Sequence, residues 1–153
     1  MNKRLLSIAK IAILLLSVTT LFSACGEDKE YYYDSTDIYQ RYIVIQANQW
    51  KWNSEYSRYE ATGNLDGFSQ TQYDDAAIVV STFWTEGNTE IQTSLPYVRT
   101  WVDNNNIKYN ETIGYELITG SRTITFYIQN SDMLERPSSK IDYEFKFTAI
   151  KYF

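Results

Sequence analysis

The chain has 153 residues, 22% of them charged and 16% aromatic, and its nineteen acidic side chains outnumber fourteen basic ones for a formal charge of −5. Histidine is absent, which excludes Ser-His-Asp and Cys-His catalysis, imidazole zinc sites and imidazole pH switches. An acidic surface with no basic cluster repels phosphate backbones, so nucleic acid is not expected as a partner.

Lys3 and Arg4 open the chain, an apolar run follows, and the small residues Ser23 and Ala24 precede Cys25. That is the layout of a secretory signal peptide, with a basic start, an apolar centre and a small-residue cleavage region. Lys10 interrupts the apolar stretch, and Ile11 to Phe22 falls short of the ~20 residues that span hydrocarbon. Residues 1–24 are therefore read as a signal peptide. Their removal takes away Lys3, Arg4 and Lys10 and no acid, which brings the formal charge to −8.

Cys25 is the only cysteine. A disulfide would need a second cysteine on another molecule, and a reactive thiol would need a neighbouring base. The run Leu21-Phe22-Ser23-Ala24-Cys25 resembles a bacterial lipobox, although Phe22 replaces the usual small aliphatic residue. The resemblance implies cleavage before Cys25 and acylation of its sulfur and new amine. Two or three acyl chains hold a membrane firmly where one holds marginally. Gly26-Glu27-Asp28-Lys29-Glu30 resembles the acidic surface-export signal of Bacteroidota lipoproteins, which implies the outside of the outer membrane. A plain solvated tether over residues 25–37 is the other reading. Asp34-Ser35-Thr36 resembles the triplet those bacteria O-glycosylate.

Residues 38–153 form one domain, long enough for a real core. Strands are expected at Ile38–Gln46, Gln49–Asn53, Arg58–Leu65 and Ala76–Trp84. The nearly continuous apolar Ala77-Ile78-Val79-Val80 predicts a strand covered on both faces. Further on, Ile107, Tyr109, Glu111, Ile113, Tyr115 and Leu117 share one face of a strand. Thr119-Gly120-Ser121 turns it into a partner carrying Ile124, Phe126 and Ile128. The last strand alternates Ile141, Tyr143, Phe145, Phe147 and Ala149 with polar residues, one face on a core and one in water. No stretch shows a 3.6-residue period. The reading is an all-β, antiparallel two-sheet sandwich, immunoglobulin-like or jelly-roll-like.

Four segments, Asn48-Gln49-Trp50-Lys51-Trp52-Asn53, Ser94-Leu95-Pro96-Tyr97, Phe126 to Asp132 and Asp142 to Phe147, are similar to a recurring domain of Bacteroidota secreted proteins and lipoproteins. The likeness covers roughly Tyr42 to Phe153. It implies the fold and an extracytoplasmic address, and it carries no activity.

Trp50 and Trp52, two apart, point to one side of an extended chain and are flanked by Asn48, Gln49 and Asn53. They are a candidate sugar platform, or else plugs of a small aromatic core. Trp101, expected in a loop, is the third candidate for that platform, and Trp84 resembles it. A glycosidase needs two acids facing each other across a cleft; Glu86 with Glu90 and Asp74 with Asp75 are the loop pairs to name, but their spacing carries no catalytic signature and a domain this small rarely builds the cleft. Glu111 on an apolar face is expected to mark a bulge or a strand end, because an isolated inward carboxylate is expensive. Asp103-Asn104-Asn105-Asn106 offers oxygens that calcium accepts, without an EF-hand pattern. The expectation is a lipid-anchored surface module that binds or assembles, with no cofactor, no metal and no catalytic centre. Its partners are the membrane through Cys25 and a glycan or an extracellular protein. A glycan-binding accessory module is the alternative; a strand-exchanging pilus-like subunit and a small hydrolase are more distant.

Overall fold

The computed structural model describes residues 35–152. The signal peptide, Cys25 and most of the tether lie outside the described residues. Among the described residues the chain forms two antiparallel sheets packed against each other, a β-sandwich. The first sheet has the order β1-β9-β4-β5, with β1 Thr36–Ile45, β9 Tyr143–Tyr152, β4 Ala77–Glu86 and β5 Thr89–Ser94. The second has the order β2-β3-β8-β7-β6, with β2 Lys51–Asn53, β3 Arg58–Asn64, β8 Thr123–Asn130, β7 Lys108–Leu117 and β6 Tyr97–Val102.

The alternation seen in sequence selects the core. Tyr143, Phe145, Phe147 and Ala149 of β9 are buried against Ile124, Phe126 and Ile128 of β8. Phe126 and Phe145 stack with centroids 3.8 Å apart and an interplanar angle of 8°. Each such side chain contributes about 1.5–3 kcal/mol on leaving water. Ile43 and Ile45 of β1, Tyr59 and Ala61 of β3, Val80 of β4 and Ile113 of β7 complete the layer. The β7–β8 hairpin turns at Gly120, whose φ of 76° suits a residue without a Cβ.

Several expectations are corrected. Over Ala77–Val80, β4 is covered on one face only: Val80 is buried while Val79 is 46% exposed, because among the described residues the core lies on one side of this sheet. Ile107 and Ile141 precede β7 and β9 and are exposed rather than inward. Trp101 lies in β6, and neither β5 nor β6 was expected. A short helix, α1 (Gln70–Asp75), joins β3 to β4. Its start is a capping box, in which Ser69 Oγ accepts from the Gln72 N–H at 3.2 Å and Gln72 Oε1 accepts from the Ser69 N–H at 2.9 Å. β1 begins at Thr36, two residues before the expected boundary.

Candidate ligand-binding groove

Only Leu95 and Pro96 separate β5 from β6, so the chain passes there from the edge of one sheet to the edge of the other. No side chain of either strand belongs to the buried core of the described residues. A groove of about 650 Å³ opens beside these edges, lined by Phe83 and Trp84 of β4, Glu90 of β5, Tyr97, Arg99 and Trp101 of β6, and the Ile141–Glu144 segment. Its size lies within the ~300–1,000 Å³ typical of small-molecule sites.

β6 alternates, so Tyr97, Arg99 and Trp101 share its groove side, while Val98 and Val102 point away, each 54% exposed. Tyr97 stacks on Trp84 with centroids 6.3 Å apart at 21°. The indole N–H of Trp84 is shielded and has no partner among the described residues. Trp101 is 42% exposed and rests on the Arg99 guanidinium, 4.7 Å from its ring centroid.

Arg99 is held in turn. It faces Glu111 directly across the β6–β7 ladder, and its Nε donates to Glu111 Oε1 at 2.7 Å. It also donates to the Tyr143 hydroxyl. Glu111 is 1% exposed in the middle of β7, so it marks neither a bulge nor a strand end. Its burial is tolerated because a cross-strand arginine neutralises it, and that partner sits on a strand the sequence did not announce. Burial pushes the Tyr143 phenol well above the usual tyrosine range, and Arg99 opposes that rise. The positive charge of Arg99 is thus matched from behind, while Glu90, Asp142 and Glu144 leave the groove rim acidic.

The other sequence candidates lie elsewhere. Trp50 is 3% exposed; its Nε1 donates to the Ile141 carbonyl at 3.0 Å and its ring meets Tyr143 edge-on. It is a core residue and cannot present a face to solvent. Trp52 is half-buried, edge-on to Tyr59 at 5.1 Å. It borders an open polar groove of about 780 Å³ with Asn48, Gln49, Asn53 and Glu60. Two of those amides are committed to local structure. Asn53 donates to Glu60 and accepts from the Glu55 N–H, and Gln49 Oε1 accepts from the Gln46 N–H. Trp50 and Trp52 therefore form no exposed platform, because Trp50 is spent on the core and only Trp52 reaches the groove.

Asp103 Oδ1 accepts from the N–H groups of Asn105 and Ile107, at 2.8 and 2.9 Å, so the asparagine run is a turn. Among the described residues no cluster of His, Cys, Asp or Glu is placed to hold a metal. Asp74 accepts from Gln70 and Asp75 pairs with Lys151 at 2.9 Å. Glu86 and Glu90 flank the β4–β5 turn, and of the two only Glu90 lines the groove. Compared with known proteins, the chain matches no family model, and no curated sequence or solved structure is similar to it.

Proposed function

We propose that this chain is a non-catalytic binding module, carried outside the cytoplasm on a lipid at Cys25, and that it binds neutral glycans in the groove beside β5 and β6. The observation that carries the reading is Trp101 laid open on Arg99 next to the stacked Trp84–Tyr97 pair. Flat π faces accept the C–H side of a pyranose, while a few fixed polar groups take its hydroxyls. Glu90 and Glu144 offer acceptors at the rim. The acidic rim disfavours anionic sugars and nucleic acid by like-charge repulsion. Asp142 is engaged with the Ala47 N–H at 2.7 Å, which supports a positioning role for that carboxylate over a catalytic one. The address rests on the signal-peptide layout, the lipobox resemblance and the acidic residues after Cys25.

The test is tryptophan fluorescence of the full chain, with Cys25→Ser so that it stays in solution. Soluble β-glucan, xylan, mannan and α-glucan are titrated in, with polygalacturonate as the anionic control. A neutral glycan is expected to shift the emission, and Trp101→Ala is expected to weaken that binding at least tenfold. No response to any neutral glycan, or equal binding by polygalacturonate, sinks the reading.

A further inference from the structure

Trp101 and Arg99 border a second cavity besides the groove. It holds about 320 Å³ and is lined further by Asn104, Tyr109, Arg136, Ser138 and Ser139. Since the same two side chains line both spaces, the indole of Trp101 stands at their junction with 42% of its surface exposed.

The second cavity is built of polar groups that the protein leaves incompletely satisfied. Ser139 is 3% exposed and its hydroxyl has no partner among the described residues. Arg136 lies over the Tyr109 ring at 3.9 Å, with its terminal nitrogens on Asp132 and Asp103, and its Nε is shielded with no partner among the described residues. Both atoms are shielded, so the polar groups that face the open space of the pocket are the exposed side chains of Ser138 and Asn104. Arg136 is neutralised by its two aspartates, which removes any demand for an anion. What remains for a ligand is the Ser138 hydroxyl, the Asn104 amide and an aromatic wall at Trp101. A sugar hydroxyl matches both polar groups because it is donor and acceptor at once.

We infer that the ligand is an extended, chain-like glycan, which occupies the groove with one end, crosses Trp101 and places a further sugar in the second pocket. The inference rests on the glycan reading of the groove. It adds that a single sugar fills only part of the site, so that affinity grows with chain length until both spaces are occupied.

The test is calorimetric titration of the full chain (Cys25→Ser) with the cello-, xylo-, manno- and malto-oligosaccharide series, each from one to six sugars. In the series that binds, Kd is expected to fall at least tenfold between the dimer and the tetramer. Ser138→Trp, which fills the second pocket from an exposed position, is expected to bring the ratio of dimer to hexamer Kd close to one. Asn104→Trp, also exposed, fills it from the other side and guards against a folding defect in the first variant. Binding that is flat from one sugar to six, or a length gain untouched by both variants, overturns the inference and leaves the groove reading standing. Absence of binding by every member of every series overturns both.

Discussion

The two flanks of the sandwich both carry aromatic rings and use them in opposite ways. Where β1 passes β3, inward residues shrink from Tyr59 to Ala61 to Gly63, and a Cβ on Gly63 would stand 2.8 Å from Ile43 Cγ2. The sheets close over that taper, and Trp50 seals the near end with its N–H bonded to Ile141. Beside β5 and β6 the inward positions are Tyr97, Arg99 and Trp101, too long and too polar to interdigitate, and the edge stays open. What separates a plug from a platform is therefore the company of the indole. Trp50 has hydrocarbon and a carbonyl around it, whereas Trp101 has a guanidinium beneath it and water above.

The largest expected effect tests that contrast directly. Trp50→Ala removes a side chain that is 3% exposed, and a loss of about 3–5 kcal/mol in unfolding free energy is expected. Trp101→Ala removes an exposed ring with one cation–π contact, and a loss within about 1 kcal/mol is expected. Urea unfolding of both variants by circular dichroism measures the pair. Equal losses would mean that Trp101 is a structural plug and would remove the site.

Next comes the wall behind the open flank. Glu111→Ala strands Arg99 and Arg99→Met strands a carboxylate that is 1% exposed, so each is expected to cost about 3–5 kcal/mol. The double variant Arg99→Met with Glu111→Leu replaces the pair with apolar volume and is expected to recover most of that loss. It should still bind glycan poorly, since Trp101 loses its support. A double-variant cycle measures the coupling, and additive losses would show that the two side chains do not act as a pair.

The closed flank was legible in the sequence and the open one was not, for a physical reason. Strands that feed a core alternate apolar and polar residues, so β7, β8 and β9 announce themselves through Ile113, Ile124 to Ile128 and Tyr143 to Ala149. β5 carries one apolar residue, Ile91, and β6 points its valines outward and an arginine inward, which inverts the pattern. Without β6 the partner of Glu111 could not be seen, and a mid-strand carboxylate read as a defect. Trp101 was singled out, but its neighbours Trp84, Tyr97 and Arg99 are brought to it by long-range pairing. The six residues of α1 are too few for a helical period, although the Ser69 to Gln72 spacing of its capping box was available.

A smaller effect probes how tightly the closed flank is packed. Gly63→Ala places a methyl against Ile43 and Ile124, and about 1–3 kcal/mol of destabilisation is expected from overpacking. Pairing it with Ile43→Leu, which takes away the Cγ2 branch that stands closest, makes room and should restore about half or more of the loss if the taper is what brings the sheets together. Thermal unfolding of the single and double variants decides it. A neutral Gly63→Ala would mean that the flank is slack, and the contrast with β5 and β6 would weaken.

The smallest effects are read from pH, and they touch both flanks. Burial raises the Tyr59 phenol on the closed side to about 12, and it raises Tyr143 on the open side as well. For a group whose folded pKa is raised, the stabilisation is complete below the unfolded value of about 10 and is lost as pH climbs through the folded one. Tyrosinate absorbance of these two residues should therefore appear together with loss of the circular dichroism signal, and not before it. At the acid end the sign reverses. Hydrogen bonds lower the carboxyls of Glu116, from Arg58, of Asp132, from Arg136, and of Asp103, from the Ile107 amide. Their contribution is present above the ordinary carboxylate range and is lost as pH falls through the lowered values. These groups are near the surface, so the acid limb should shrink in high salt while the alkaline limb, set by burial, should not. Melting curves at low and high ionic strength across both limbs make the distinction. An alkaline limb as salt-sensitive as the acid one would place Tyr143 in water, and Arg99 would then have no dry wall to stand on.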